Sequence, residues 1–520
     1  MKSFKNRLGF ITGIVVLAVI LTSCGDSFLN TKPKDSISLS NFYASNAQVE
    51  ASTNILYDAP WFGWNNKASW SITEMQAGNG RSYSNDVVSF NDFSTQGDNP
   101  VIGSGWASLW TVIAQSNALI NNLPQRVASE VDQSTIDNAL GEAHLMRAAA
   151  YFYLVRTWGP VPIITNNLDH VEDPAIPLNR VQDIYQFMRN DLQFCIDNCV
   201  DIASGLNTGH VTSGSAKAML AKVALYQEDY DTARQMSEEV INSGQFQLLE
   251  DYSALFKVEN NNNLETIIAL QWAGDSYGVG NSIQASWAYN NEITGTGDGY
   301  SVLGPTIDIQ RAYESGDQRR KPSIMLGGAH YPGILSDDGG YTVPEDVNAQ
   351  GTNAAMKKYV VGTPTDQGGA GAAQASVINT YILRYADLLL IHAESILANS
   401  QSTSDPAALE SFNKVRERAG LQGKTSITMD DILHERRIEL AFESDYWYDL
   451  GRIDRSKAIE MISNQERGTF ANTPREDPPV INSIMLNPSA EDFLLPYPSP
   501  VVAVNDNFTK DPVPYYFGDE

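Results

Sequence analysis

Apolar positions recur with a helical period along most of this chain. Trp106, Leu109, Trp110, Ile113, Asn117 and Ile120 share one helical face that ends at Pro124. Leu145, Ala149, Phe152 and Val155 share another. That helix is stopped by Gly159-Pro160, a residue suited to ending a helix followed by one that cannot extend it. Residues 181–200 read as a third helix. An Ala- and Leu-rich run over 216–227 meets an acidic-aromatic turn, Glu228-Asp229-Tyr230-Asp231, and a second helix through Ile241 that closes at Gly244. A similar pair is predicted over 381–398 and 406–419, and a further helix from 429 to about 449.

The run "AKAMLAKVALYQEDYDTARQMSEEVINSG" at 216–244 resembles a tetratricopeptide helix pair, where alanines let two helices cross closely. The pairs are unevenly spaced, so no open repeat array is expected. The predicted fold is mainly α, with tetratricopeptide-like helix pairs as scaffold, large loop-rich insertions and a few short strands, 266–270 among them. Helical scaffold is expected over about 105–258 and 376–460. Loop-rich segments are expected over about 60–104, 260–375 and 465–520. Loops this long are functional or disordered, and their Trp, Tyr and Gly content favours function.

The first residues change the picture. Lys2, Lys5 and Arg7 precede a short apolar run, 8–21, and then Leu21-Thr22-Ser23-Cys24. The run has the length of a signal-peptide core rather than of a membrane span. The four residues resemble a lipobox, which leaves Cys24 as a lipidated N-terminus. Residues 1–23 are thus expected to be a lipoprotein signal peptide, 24–40 a tether, and 41–520 a single domain. No other stretch is long and apolar enough to span a bilayer. With 42% hydrophobic residues the chain can bury a substantial core. Its 35 basic and 62 acidic residues give −27, and removing Lys2, Lys5 and Arg7 leaves 32 against 62, or −30. Such a body repels nucleic acid and anionic lipid, so attachment to a membrane falls to the acylated cysteine.

Chemical motifs mostly fail. His434-Glu435 lacks the second zinc-binding His, since Ile438 stands there. Gly423-Lys424-Thr425 lacks the first phosphate-loop glycine, and no G-x-S-x-G occurs. Glu435, Glu439 and Glu443 form a row at i, i+4, i+8, interleaved with Arg436, Arg437 and Arg452. It reads as a structural ion-pair network, with a paired-carboxylate glycoside hydrolase as the competing reading. Cys195 and Cys199 have no metal-ligand spacing to other Cys or His and stand as free thiols or a bridge at a frayed helix end. No metal site or cofactor is indicated, although loop Asp residues leave structural calcium open. Trp61, Trp64, Trp70, Trp287, Tyr289 and Tyr300 occupy polar, Asn- and Gly-rich contexts. Each is either a platform for the C–H face of a sugar or part of a small core beneath a loop.

Five segments in order carry a family resemblance. They are "EAHLMRAAAYFYLVRTWGPVPI" (142–163), "YADLLLIHAESI" (385–396), "FNKVRERAGL" (412–421), "ERRIELAFESDYWYDLGR" (435–452) and "FLLPYPSPVVAVNDNFTKDP" (493–512). Behind the lipobox they resemble the SusD/RagB-like nutrient-binding outer-membrane lipoproteins, over essentially the whole chain. One departure is Ser444-Asp445-Tyr446 after Glu443, where the family commonly has Gly-His/Lys-Arg. The resemblance implies a non-enzymatic protein, lipid-anchored in the outer membrane and facing the exterior. It would bind a nutrient, a glycan or alternatively a peptide, and pass it to a SusC-like TonB-dependent transporter. The motifs are scaffold and name no ligand residue.

Overall fold

The computed structural model describes residues 42–172, 175–201, 209–471 and 479–518. Cys24 and the expected signal peptide and tether lie outside the described residues. The scaffold helices are α1 (Asn46–Ser52), α2 (Pro100–Arg126), α3 (Gln133–Trp158), α4 (Val181–Asn198), α5 (Ser213–Leu225), α6 (Tyr230–Ser243), α7 (Tyr385–Leu397), α8 (Pro406–Arg418), α9 (Met429–Glu439) and α10 (Tyr446–Arg452). Their ends follow local chemistry. Thr212 caps α5 and Thr428 caps α9, each in a reciprocal capping box. Asp405 caps α8 with Pro406 at its first position. Gly159 ends α3 with φ +78 and Gly244 ends α6 with φ +68, a region that disfavours side chains.

Each helix packs on the next from α2 through α6. The stack then continues across a long interruption: α7 packs on α6 and α5 although residues 244–384 separate them in sequence. Ala216, Ala218, Ala221 and Ala224 of α5 are all fully buried, which is what close crossing requires. Helix α8 then packs on α7, and α9 on both.

The strand expected at 266–270 is present, as Thr266–Leu270. It pairs antiparallel with Thr380–Arg384 and so closes the base of the insertion. The helix expected from 381 therefore starts later, because its first residues, Tyr-Ile-Leu-Arg (381–384), belong to that second strand. The helix expected over 429–449 is also broken. Helix α9 ends at Glu439 and α10 begins at Tyr446, with Phe442 (φ +66) and Ser444 (φ +66) in the left-handed region between them. Each such residue costs roughly 1–2 kcal/mol. The turn is where Glu443 and Asp445 leave the helix line to meet separate cations.

Two expected loop regions are differently built. Residues 64–75 form consecutive π-helical turns, Trp64–Ala68 and Ser71–Met75, mostly buried. Such turns are rare and concentrate at functional sites. The C-terminal run beyond 490 lies on the scaffold: Leu495 N–H donates to Thr157 O, Trp158 Nε1–H to Pro496 O, and Val513 N–H to Leu178 O. One contiguous hydrophobic cluster runs through scaffold and insertion together. Cys195 and Cys199 are free thiols with Sγ atoms 2.8 Å apart. Burial, with Cys199 adjoining, pushes the Cys195 thiol well up.

The row of glutamates is part of a buried ionic lattice that ties the insertion to α9. Arg384, on the closing strand, holds Glu265, Glu439 and Glu443. Arg319, from within the insertion, holds Asp317, Glu435 and Glu439. Lys358 reaches Glu443 and the carbonyl of Ala441. The partners differ from those the sequence suggested. Arg436 binds Asp387, Asp445 and Asp449, Arg437 binds Asp308, and Arg452 binds Glu394 and Asp449. Glu435 and Glu439 are fully buried, and every one of their carboxylate oxygens faces a guanidinium. They leave no open face for a substrate.

Candidate functional site

Four of the six aromatic candidates are core residues. Trp61, Trp64, Trp70 and Trp287 are between 0% and 3% exposed, so none presents a face to solvent. Trp61 donates to Leu56 O and meets Tyr153 edge-on. Trp64 packs on Tyr153 and Trp158, and lies against Gly105 of α2, where a Cβ would come within 3.2 Å of its ring. Trp70 donates to Asn66 O and meets Trp287 edge-on at 6.2 Å. Trp287 also packs on Tyr359 and Phe442. The largest side chains carry the most apolar surface to remove from water, which outweighs the polarity of their neighbours in sequence. Tyr289 is half-buried against the core. Tyr300 alone of the six stands open, at 54%.

Two further tyrosines are equally open, Tyr83 at 57% and Tyr277 at 56%. Hydrogen bonds connect them to Tyr300. Tyr83 N–H donates to Gln350 Oε1, and Gln350 Nε2–H donates to Ser301 O, next to Tyr300. Ser82 Oγ–H donates to Val302 O, beside the short pairing of Gly80–Arg81 with Gly304–Pro305. On the other side, Ser84 Oγ–H donates to Asp86, Asp86 pairs with Lys67, and the adjacent Asn66 reaches the Tyr277 hydroxyl at 3.4 Å. Asn66 and Lys67 sit in the first π-helical turn, and Ser282 Oγ–H and Trp70 Nε1–H both donate to Asn66. Buried Trp70 thus holds the strip from beneath.

Two of the exposed rings are backed. The Arg81 guanidinium lies 4.5 Å from the Tyr83 ring centroid, covering one face of it. Phe62 meets Tyr277 edge-on at 4.7 Å. Ser301 (φ +49) and Gln350 (φ +54), at the joint between Tyr83 and Tyr300, are non-glycine residues in the left-handed region. Backbone strain of this kind persists where surroundings over-determine it, and it gathers at binding sites. Burial raises the Asp86 carboxyl, but hydrogen bonds from Lys67 and Ser84 outweigh this and hold it below the usual carboxylate range. The result is three exposed rings linked through a strip of amide, hydroxyl and paired charged groups. That is suited to an uncharged, hydroxyl-rich ligand with flat C–H faces. Tyr83 and Tyr277 are not among the sequence candidates, which favour the larger rings. The usable signal was local: both are flanked by Ser, Gly, Asn and Asp, as in Arg81-Ser82-Tyr83-Ser84-Asn85 and Asp275-Ser276-Tyr277-Gly278. The buried Trp61, Trp64 and Trp287 have Ala, Pro, Phe or Tyr nearby.

Comparison with known proteins identifies the fold's relatives. The SusD family profile matches residues 264–516, and a profile described as starch-binding, associating with the outer membrane, matches residues 27–225. A SusD-like protein of Bacteroides ovatus is 34% identical over 97% of this chain and 98% of its own. The chain belongs to the SusD family. SusD-like protein P2 of Formosa agariphila is 25% identical over 95% of this chain and 97% of its own. A structure solved with xylogluco-oligosaccharide is 34% identical, with TM-score 0.83 over 91% of this chain and 100% of that one. A laminarin-binding SusD-like protein is 26% identical, with TM-score 0.70 over 89% and 98%. The mainly helical architecture is that of these SusD-like structures. Among the described residues no helix is long and apolar enough to cross a membrane, and no group of three or more His, Cys, Asp or Glu could hold a metal ion.

Proposed function

We propose that this SusD-family protein is a cell-surface lipoprotein that binds a neutral glycan on the strip formed by Tyr83, Tyr277 and Tyr300. The observation that carries the reading is the exposure of these three rings, linked through polar groups, in a family whose relatives include a structure solved with xylogluco-oligosaccharide and a laminarin-binding SusD-like protein. Its chemistry here is binding without bond cleavage. The glutamates that suggested hydrolysis are buried and committed to arginines. The protein would deliver its ligand to a SusC-like TonB-dependent transporter, with Cys24 acylated in the outer membrane and the body facing outward.

Calorimetry against neutral polysaccharides, with xyloglucan and laminarin fragments first, tests the ligand class. Glycan binding without release of shorter products is expected. Binding of oligopeptides alone would replace the glycan reading with peptide import, and released oligosaccharides would establish a hydrolase. For the anchor, Cys24→Ala is expected to leave the protein unlipidated and free of the membrane fraction. Persistence in that fraction after a high-salt wash would remove the lipidation claim. Co-purification of the wild-type chain with an outer-membrane β-barrel transporter tests the delivery step, and recovery without any such partner would contradict it.

A further inference from the structure

A cavity of 440 Å³ lies elsewhere in the insertion and shares no residue with the tyrosine strip. We propose that it holds an acidic sugar unit, a pyranose ring carrying a carboxylate or a sulfate ester. Its volume falls in the range of small-ligand sites.

Three lysines reach this cavity: Lys257, Lys321 and Lys357. The Lys321 and Lys357 ammonium groups stand 5.6 and 5.8 Å from the centroid of the Tyr331 ring. Lys357 is fixed in place by donating to Val360 O, which leaves it two further N–H donors. Among the described residues none of the three has a carboxylate partner, in a chain that carries −27 and pairs its other buried lysines, Lys222 and Lys358, with acids. Unpaired lysines at the surface, such as Lys257 and Lys321, are ordinary; a part-buried one such as Lys357 is not. Burial, and then the neighbouring Lys257 cation, push the Lys357 ammonium down to about 8. The charged group bearing on it is thus another cation, which an incoming anion would offset.

The carboxylates at the cavity do not supply that anion. Asp366 spends its oxygens on Leu335 N–H, Ser336 N–H and Oγ–H, and Thr363 N–H and Oγ–H. Glu259 is exposed and forms no ion pair among the described residues. His330 shares its Nδ1 with Thr342 Oγ1. The remaining walls are mostly apolar, with Phe256, Tyr331 and Ile334 among them, and suit the C–H face of a ring rather than a bare ion. An inorganic anion would use the lysines and leave these walls without a partner.

The test is calorimetry on the full chain with glucuronic acid, galacturonic acid and glucose 6-sulfate. Glucose, galactose, inorganic sulfate and inorganic phosphate are the comparison probes. The acidic sugars are expected to bind at least about tenfold more tightly than either their neutral parents or the inorganic ions. The Lys257→Met/Lys321→Met double variant replaces two exposed ammonium groups and is expected to lose at least about tenfold of that affinity while keeping the wild-type melting temperature. Replacing Tyr83, Tyr277 and Tyr300 should leave acidic-sugar binding unchanged, so failure here is distinguishable from failure of the glycan strip. Equal binding of neutral sugars to the chain lacking Tyr83, Tyr277 and Tyr300, equal binding of inorganic sulfate or phosphate, no binding at millimolar concentration, or an unaffected double variant would each overturn the proposal.

Discussion

Trp287→Ala is expected to destabilise the protein by about 3–5 kcal/mol, the usual loss when a buried indole is cut back to a methyl. Trp287 is 1% exposed and touches Trp70, Tyr359 and Phe442, which come from three separate segments. Little can collapse into the space without moving all three. Its Nε1–H finds no partner among the described residues, so the indole contributes through packing rather than through a hydrogen bond. Trp287→Phe should therefore keep most of the stability that Trp287→Ala loses. Denaturant unfolding followed by circular dichroism measures both. Glycan affinity, measured well below the unfolding transition, should stay within about twofold for Trp287→Phe. A stable Trp287→Ala protein that no longer binds glycan would return this residue to the ligand site.

Arg436→Met should be comparably damaging, at about 3–5 kcal/mol, because breaking a buried ionic cluster leaves charges without partners. The Arg436 guanidinium binds Asp387 and Asp449 at 2.7 Å and Asp445 at 3.0 Å, with its side chain fully enclosed. Lysine cannot span three carboxylates, so Arg436→Lys should recover little. Arg234→Ala, which breaks an exposed pair with Glu238, should cost less than about 1 kcal/mol and serves as control.

The same lattice, together with buried Glu74 outside it, gives stability a pH dependence with two limbs. Burial pushes the Glu439 carboxyl up, but Arg418, Arg384 and Arg319 more than reverse this and hold it well below 4.5. Asp445 is likewise depressed by Lys222, Arg436 and Arg156 against its own burial. Groups with depressed folded values stabilise fully above their unfolded values and lose that contribution as pH falls through the folded ones. Glu74 runs the other way. Burial raises it from 4.5 to about 7, so its favourable protonated state is complete below 4.5 and is lost as pH rises toward 7. Thermal midpoints should therefore peak near pH 5, fall modestly toward pH 7 and fall steeply below pH 4. A flat profile from pH 3 to 7 would contradict the ionic account of the core.

Much of the scaffold could be read from the chain because helical stripes and their stop signals are local. Gly159-Pro160 and Gly244 end helices where expected, and Thr266–Leu270 forms the expected strand. The misreadings arose where distant partners decide. The 381–384 run looks helical in isolation, but Thr266–Leu270 recruits it as a strand. The turn over 440–445 answers to Lys358, Lys222 and Arg384, all remote in sequence. The strip proposed to bind glycan was least legible. Whether an aromatic ring is core or platform depends on what covers it, and Trp64 is covered by α2 through Gly105 in a way no local pattern announces. Tyr300 was legible from its Gly-rich surroundings, and the same reasoning applied to tyrosines rather than tryptophans would have found Tyr83 and Tyr277.

Three exposed tyrosines are proposed to hold the glycan. Each ring removed should cost about 1 kcal/mol of stacking, so the triple variant Tyr83→Ala/Tyr277→Ala/Tyr300→Ala is expected to bind on the order of 100-fold more weakly. The direct measurement is calorimetric titration of wild-type and triple-variant protein with the neutral oligosaccharide that wild type binds best, alongside their melting temperatures. Near-complete loss of binding at an unchanged melting temperature is expected, since all three rings are more than half exposed. Wild-type affinity in a folded triple variant would contradict it.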